Sequence, residues 1–162
     1  AFAGAVMARN GIPDDTRLAL RAVSHAFRGW GARADVTRLL HPGDDMLWNQ
    51  THPDVAHVDL EDGQRISVAG TELTVINTPG HSPGSCVVYA PEAGILFSGD
   101  TLFHGGPGAT GRSFSSFPTI IESIRDKIFT LDPETKVYTG HGEGTPIVDE
   151  APHLEEWIAR GH

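Results

Sequence analysis

Three short apolar stretches in the second half of this chain each end in a glycine-containing turn, and each turn carries a side chain able to bind a metal. Leu73 to Ile76 leads into Thr78-Pro79-Gly80-His81-Ser82-Pro83-Gly84. Gly94-Ile95-Leu96 leads into Phe97-Ser98-Gly99-Asp100-Thr101, and Lys136-Val137 into Tyr138-Thr139-Gly140-His141-Gly142. Short apolar runs bounded by Gly and Pro read as strands. Strands must pair, so His81, Asp100 and His141 are expected along one edge of a sheet. Imidazole and carboxylate are ligands that zinc and iron both accept. A glycine beside each ligand lets backbone come close to an ion. Pro79 limits the freedom the turn must lose on binding. Asp100, with two oxygens, can bridge two ions.

The flanking chain predicts mixed layers of sheet and helix. Asp14 or Asp15 could cap a helix through about Trp30, and Val36 to Leu40 reads as a strand stopped by His41-Pro42-Gly43. Asp44 to Trp48 predicts one helical turn and Thr51 to His57 a loop. Arg65 to Val68 and Glu72 to Ile76 predict a hairpin, followed by strands Cys86 to Ala90 and Ile95 to Ser98. His104 to Arg112, with four Gly and a Pro, predicts an exposed loop. Phe117, Ile120, Ile121, Ile124 and Ile128 keep the spacing of an amphipathic helix, with Ser116 and Pro118 at its start and Asp132-Pro133 at its end. Lys136 to Thr139 predicts a strand, and Glu150 to Arg160 a last helix with Gly161 just past it.

Two other motifs fail on chemistry. Gly80-His81-Ser82-Pro83-Gly84 fits the serine-hydrolase elbow Gly-x-Ser-x-Gly. That elbow needs a backbone N–H after the serine, and Pro83 has none. Gly106 to Ser113 imitates two phosphate-binding loops. The preceding strand ends too early, and Arg112 is no substitute for the phosphate-binding Lys. His41, His52, His57, His104, His153 and His162 read as surface or packing residues.

The 162 residues suffice for a single domain spanning 1–162. A net charge of −9 repels nucleic acid and anionic membranes, so neither is expected as a partner. The single cysteine, Cys86, suits a cytoplasmic protein, and no signal peptide or bilayer-spanning run is read.

Taken in order, Thr78 to Ser85, Leu96 to Phe103 and Thr139 to Gly142 closely resemble the metallo-β-lactamase-fold hydrolases, in their small glyoxalase II-like branch. The resemblance covers roughly Asp59 to Arg160. It implies an α/β fold, an αβ/βα sandwich of which this chain holds mainly the C-terminal half. It implies two zinc ions, with iron or manganese as alternatives. By the resemblance His81 completes a three-His set at the first ion, Asp100 bridges and is the catalytic candidate, and His141 binds the second. A hydroxide shared by the ions would then attack a thioester or other small-molecule acyl substrate. Ser82 and Thr101 are candidates to orient the carboxylate or an imidazole through their hydroxyls. The loop from His104 to Ser115 is expected to wall the substrate pocket, with Arg112 either facing an anionic group of the substrate or solvated. Lactone, phosphodiester or mono-iron persulfide chemistry on the same fold stays open.

The family's strongest mark, His-x-His-x-Asp-His, does not occur in this sequence. The nearest stretch is Ser24 to Trp30, where only His25 could be a ligand. Two expectations follow. Either the chain is the C-terminal part of a longer hydrolase, or it is a degenerate member that no longer does the chemistry. Without the N-terminal sheet, an apolar sheet face would be left uncovered and the chain could self-associate through it.

Overall fold

The computed structural model describes residues 38–68 and 70–161. The helix expected from Asp14 to Trp30, and His25 within it, lie outside these residues.

A six-stranded sheet dominates. Its strands are β3 (Arg65–Val68), β4 (Thr71–Asn77), β5 (Cys86–Ala90), β6 (Ile95–Gly99), β9 (Lys136–Thr139) and β10 (Thr145–Pro146), in the order β10-β9-β6-β5-β4-β3. Neighbours from β3 to β6 are antiparallel, β6 and β9 are parallel, and β9 and β10 are antiparallel. Two small sheets flank it: β1 (Leu39–Leu40) with β2 (Val58–Asp59), and β7 (Leu102–Phe103) with β8 (Gly106–Pro107).

This order places the site. β4, β6 and β9 all run in one direction, because β4 and β6 are each antiparallel to β5 and β9 is parallel to β6. The turns that follow them therefore emerge at a single edge, as ligand-bearing loops do at the carboxyl ends of strands in α/β sheets.

The parallel step from β6 to β9 needs a crossover, and α2 (Phe117–Ser123) provides it. Ser116 caps the helix by accepting from the Thr119 N–H, with Pro118 in the first turn. Ile120, Ile121, Ile124 and Ile128 are buried and meet Val87, Leu96 and Val137 on one sheet face, with Ile147 and Trp157 closing the layer. Each such side chain contributes about 1.5–3 kcal/mol on burial. The apolar spacing predicts one helix through Ile128, but its last turn, Ile124–Ile128, is a π turn closed by the bond from Phe129 N to Ile124 O. The helix ends at Ile128 with Phe129 as its C-cap, before Asp132-Pro133.

The opposite sheet face, expected to lie uncovered, is not open at its centre: Leu73, Val75, Cys86, Val88 and Ala90 are all buried. The single helical turn expected at Asp44 is longer, α1 (Asp45–Thr51). The final helix is broken in two, α3 (Ile147–Glu150) and α4 (Leu154–Arg160), by a 3-10 turn containing Pro152, and Gly161 ends α4 in the left-handed conformation.

The glycine-rich run from His104 is not simply an exposed loop. Gly106 and Pro107 form β8, and Gly106 and Gly108 are buried. A Cβ on Gly108 would stand 1.8 Å from the Asp100 carbonyl oxygen, so glycine is required there by close approach.

Candidate metal centre

Three backbone devices bring the ends of β4, β6 and β9 together. The turn after β4 is tied across by Thr78 N to Ser85 O at 2.7 Å and Gly80 N to Ser82 O at 3.1 Å. It is bound to the crossover helix by Ser116 N to Gly80 O at 2.8 Å and Ser123 Oγ to Pro79 O at 2.7 Å. At the end of β6 the ladder shifts register, Gly99 turns left-handed at φ +54°, and Gly140 N donates to Gly99 O at 3.0 Å. Asp100 and His141 thereby leave adjacent parallel strands side by side. A Cβ on Gly140 would lie 3.0 Å from Asp100 Oδ1.

His81 Nε2 stands 3.8 Å from Asp100 Oδ2, and His141 Nε2 stands 3.6 Å from Asp100 Oδ1. Each imidazole thus faces a different carboxylate oxygen. These gaps are too long for hydrogen bonds. The His81 tautomer is fixed by its other nitrogen: Nδ1 lies 2.8 Å from the Ala109 carbonyl oxygen, which can only accept, so Nδ1 carries the proton. Nε2 is then a bare lone pair in neutral His81, aimed at a carboxylate. A cation placed between two such lone-pair donors would be held by both. Histidines that bind metals nearly always donate the other ring N–H to a carbonyl or carboxylate. Two ligands about 2.1 Å from one ion in tetrahedral geometry lie about 3.4 Å apart, close to both gaps. His141 is held differently: its ring lies 4.8 Å from that of Phe103, and its carbonyl accepts from Thr139 Oγ1 at 2.5 Å.

The donor set therefore fits part of a metal centre, with Asp100 shared between two ligand pairs. It does not complete one: among the described residues no group of three or more His, Cys, Asp or Glu converges on a single ion position.

The neighbouring candidates do other work. Ser82 Oγ donates to Asp44 Oδ2 at 2.7 Å and meets Ser85 Oγ at 2.8 Å, rather than reaching the Asp100 carboxylate. Thr101 is buried and its hydroxyl pairs with Thr78 Oγ1 at 3.1 Å, joining the roots of the two ligand turns. Arg112 is exposed, and its backbone closes a small turn with Ser115. A cavity of about 580 Å³ opens beside His81 and Asp100, with Leu40, Leu47, Trp48 and Phe114 among its walls. Phe114, not Arg112, is the residue of that loop that lines it.

Two residues near the site escaped sequence reasoning. Asp44 reaches the His81 turn from 40 positions away. Glu150, 1% exposed, accepts from Thr145 Oγ1, His104 Nδ1 and Gly105 N at 2.7, 2.9 and 2.9 Å, fixing the β7–β8 turn next to Phe103. An Asp before a helix and a Glu within one are ordinary surface signals. Only the fold reveals what they hold.

Residues 10–141 match the model of the metallo-beta-lactamase superfamily. An uncharacterized 11.5 kDa protein of Rhodococcus erythropolis is 48% identical over 97 residues, covering 59% of this chain and 90% of its own length. The probable metallo-hydrolase YqgX of Bacillus subtilis is 38% identical over 94 residues, covering 58% of this chain and 44% of its own. The hydroxyacylglutathione hydrolase GloC of Haemophilus influenzae is 33% identical over 90 residues, covering 56% and 42%. Among solved structures, TTHA1623 in a di-iron-bound form superposes with a TM-score of 0.65 at 32% identity, covering 72% of this chain and 63% of its own. The chain thus spans less than half the length of the two named hydrolases it matches.

Proposed function

The chain belongs to the metallo-beta-lactamase superfamily, and from that premise we propose that it is a metal-dependent hydrolase of thioesters or similar acyl compounds, of glyoxalase II-like type. The observation that carries this reading is the lone-pair geometry: one carboxylate, each of whose oxygens faces a separate imidazole at 3.6–3.8 Å, with the His81 tautomer set by a carbonyl. The similarity to GloC and the di-iron form of TTHA1623 support the reaction class and a divalent metal. Zinc and iron both suit these ligands.

His81, Asp100 and His141 would hold the metal. A bound divalent ion would supply Lewis-acid chemistry and lower the pKa of its water to about 7. The chain's own residues do the rest. Ala109 keeps His81 in the tautomer that presents Nε2. The Thr78–Thr101 hydroxyl pair holds two ligand turns at fixed separation. The mostly apolar wall of Leu40, Leu47, Trp48 and Phe114 would exclude water from an acyl group lying against it.

The test is metal analysis and thioester turnover on the 162-residue chain, beside His81→Ala and Asp100→Ala. The wild type is expected to retain zinc or iron through desalting and to cleave an acyl-glutathione thioester. Each variant is expected to lose turnover by at least about a hundredfold, the order seen when a metal ligand or its support is removed. Turnover that survives Asp100→Ala defeats the reading, as does a wild type holding no metal.

A further inference from the structure

We infer that Asp44 is a positioning residue for the ligand turn that presents His81, an inference that rests on the metal-centre reading above. The carboxylate accepts from Gly84 N at 2.6 Å through Oδ1 and from Ser82 Oγ at 2.7 Å through Oδ2. These two donors lie on the C-terminal side of His81 in its turn. On the N-terminal side, Pro79 and Gly80 are bonded to Ser123 and Ser116 of the crossover helix. His81 is thus held between two clamps, and Asp44 supplies one of them.

Three features mark this contact as a specific device. Asp44 occupies the N-cap position of α1, where Asp normally accepts from an N–H of its own helix, yet its side chain makes no such bond. Its whole hydrogen-bonding capacity in that direction goes to a turn about 40 residues distant. The backbones interlock as well. A Cβ on Gly43 would stand 2.8 Å from Pro83 O, and one on Gly84 would stand 2.6 Å from Asp44 N. Side chains at either glycine would force the two segments apart. Finally, Ser82 N donates to Ser85 Oγ at 3.0 Å and the two serine hydroxyls meet at 2.8 Å, so the carboxylate anchors a hydroxyl network that runs through the residue next to His81.

The experiment compares wild type, Asp44→Ala and Asp44→Asn in the 162-residue chain. Asparagine keeps an acceptor for Gly84 N, and the Ser82 hydroxyl can turn to accept from the new amide. Both variants remove the charge, so only geometry separates them. The first readout is NMR of the metal-free protein: the Gly84 amide and the His81 ring protons are expected to shift in Asp44→Ala and to stay near wild type in Asp44→Asn, while the Val137 amide is unmoved in both. The second is cobalt(II) affinity of the folded fraction, expected to fall 10- to 100-fold in Asp44→Ala and to be largely restored in Asp44→Asn. Unmoved His81 ring resonances in Asp44→Ala overturn the inference, as does cobalt affinity equal to wild type. If His81 moves but the wild type itself binds no cobalt, the metal reading fails and the positioning contact stands. Should Asp44→Ala not fold, Ser82→Ala removes the hydroxyl limb alone and carries the same NMR readout, with an unmoved His81 again overturning the inference.

Discussion

Replacing Gly80 by Ala tests how the ligand edge is joined to the rest of the fold. Gly80 has φ +140°, and a Cβ there would stand 2.4 Å from both Cα and Cβ of Ile120 and 2.5 Å from its nitrogen. These are backbone-fixed atoms of a helix whose inner face is buried, so the helix cannot yield. The turn must retreat by about 1 Å to reach ordinary van der Waals contact. Two bonds cross that joint, Ser116 N to Gly80 O at 2.8 Å and Ser123 Oγ to Pro79 O at 2.7 Å. A retreat of about 1 Å would stretch both beyond hydrogen-bonding distance. Their loss costs about 1 kcal/mol each, and the buried Ser123 hydroxyl left unpaired adds about as much again. The backbone conformation adds about 1–3 kcal/mol for a residue with a side chain. The sum is about 4–6 kcal/mol, or a fall in Tm of about 10–20 °C for a chain of this size. Gly94→Ala is the control. Gly94 is also left-handed, at φ +60°, but a Cβ there meets nothing within 4 Å. It should cost only about 1–2 kcal/mol. Urea unfolding of both variants provides the comparison. If Gly80→Ala is no more destabilised than Gly94→Ala, the close joint between ligand turn and crossover helix is refuted.

The buried carboxylate of Glu150 offers a second test: Glu150→Ala should lower stability by about 2–4 kcal/mol, since Thr145 loses a buried partner and a cavity opens. Glu150→Gln should cost much less, because the amide oxygen can serve Gly105 N while the amide NH₂ faces the Thr145 hydroxyl and His104 Nδ1, which accepts in its other tautomer; equal losses in urea unfolding would contradict this. Burial pushes the Cys86 thiol up from 9.0 to about 11. The unfolded thiol ionises first, so its contribution is complete below pH 9 and is lost as pH rises toward about 11. Native wild type should therefore lose stability over that window where Cys86→Ala does not, and its thiol should resist a disulfide reagent at pH 8 until urea is added.

What could be read from the sequence was whatever the apolar pattern writes locally. Cys86–Ala90 begins and ends where its apolar run does, because a strand buried on both faces needs nothing else to declare it. The π turn at Ile124–Ile128 left no mark, since buried isoleucines keep their spacing whether the last turn is α or π. Glycines were harder still. Gly108 looks like part of a flexible tract, yet the packing keeps it small so that the chain just after β8 can lie against the Asp100 backbone. The same residue type encodes freedom in one place and close contact in another, and only the neighbour across the gap tells which.

That distinction governs the candidate centre as well. His81, Asp100 and His141 announce themselves because each sits in a turn after an apolar run, and strand direction then carries all three to one edge. The groups that aim them have no such local signature. Asp44 acts across 38 to 40 positions, Ala109 acts through a carbonyl that any residue possesses, and Glu150 acts through the turn beside Phe103. Ligand identity is thus a one-residue property, while ligand orientation is a property of pairs brought together by topology. A variant that preserves every ligand but moves one of these partners should therefore change metal affinity with the ligand set intact. By the same reasoning Ala109→Gly, which keeps the carbonyl, should leave His81 where it is. Displacement of the His81 ring in that variant would show that the Ala109 side chain, and not its backbone oxygen, sets the geometry.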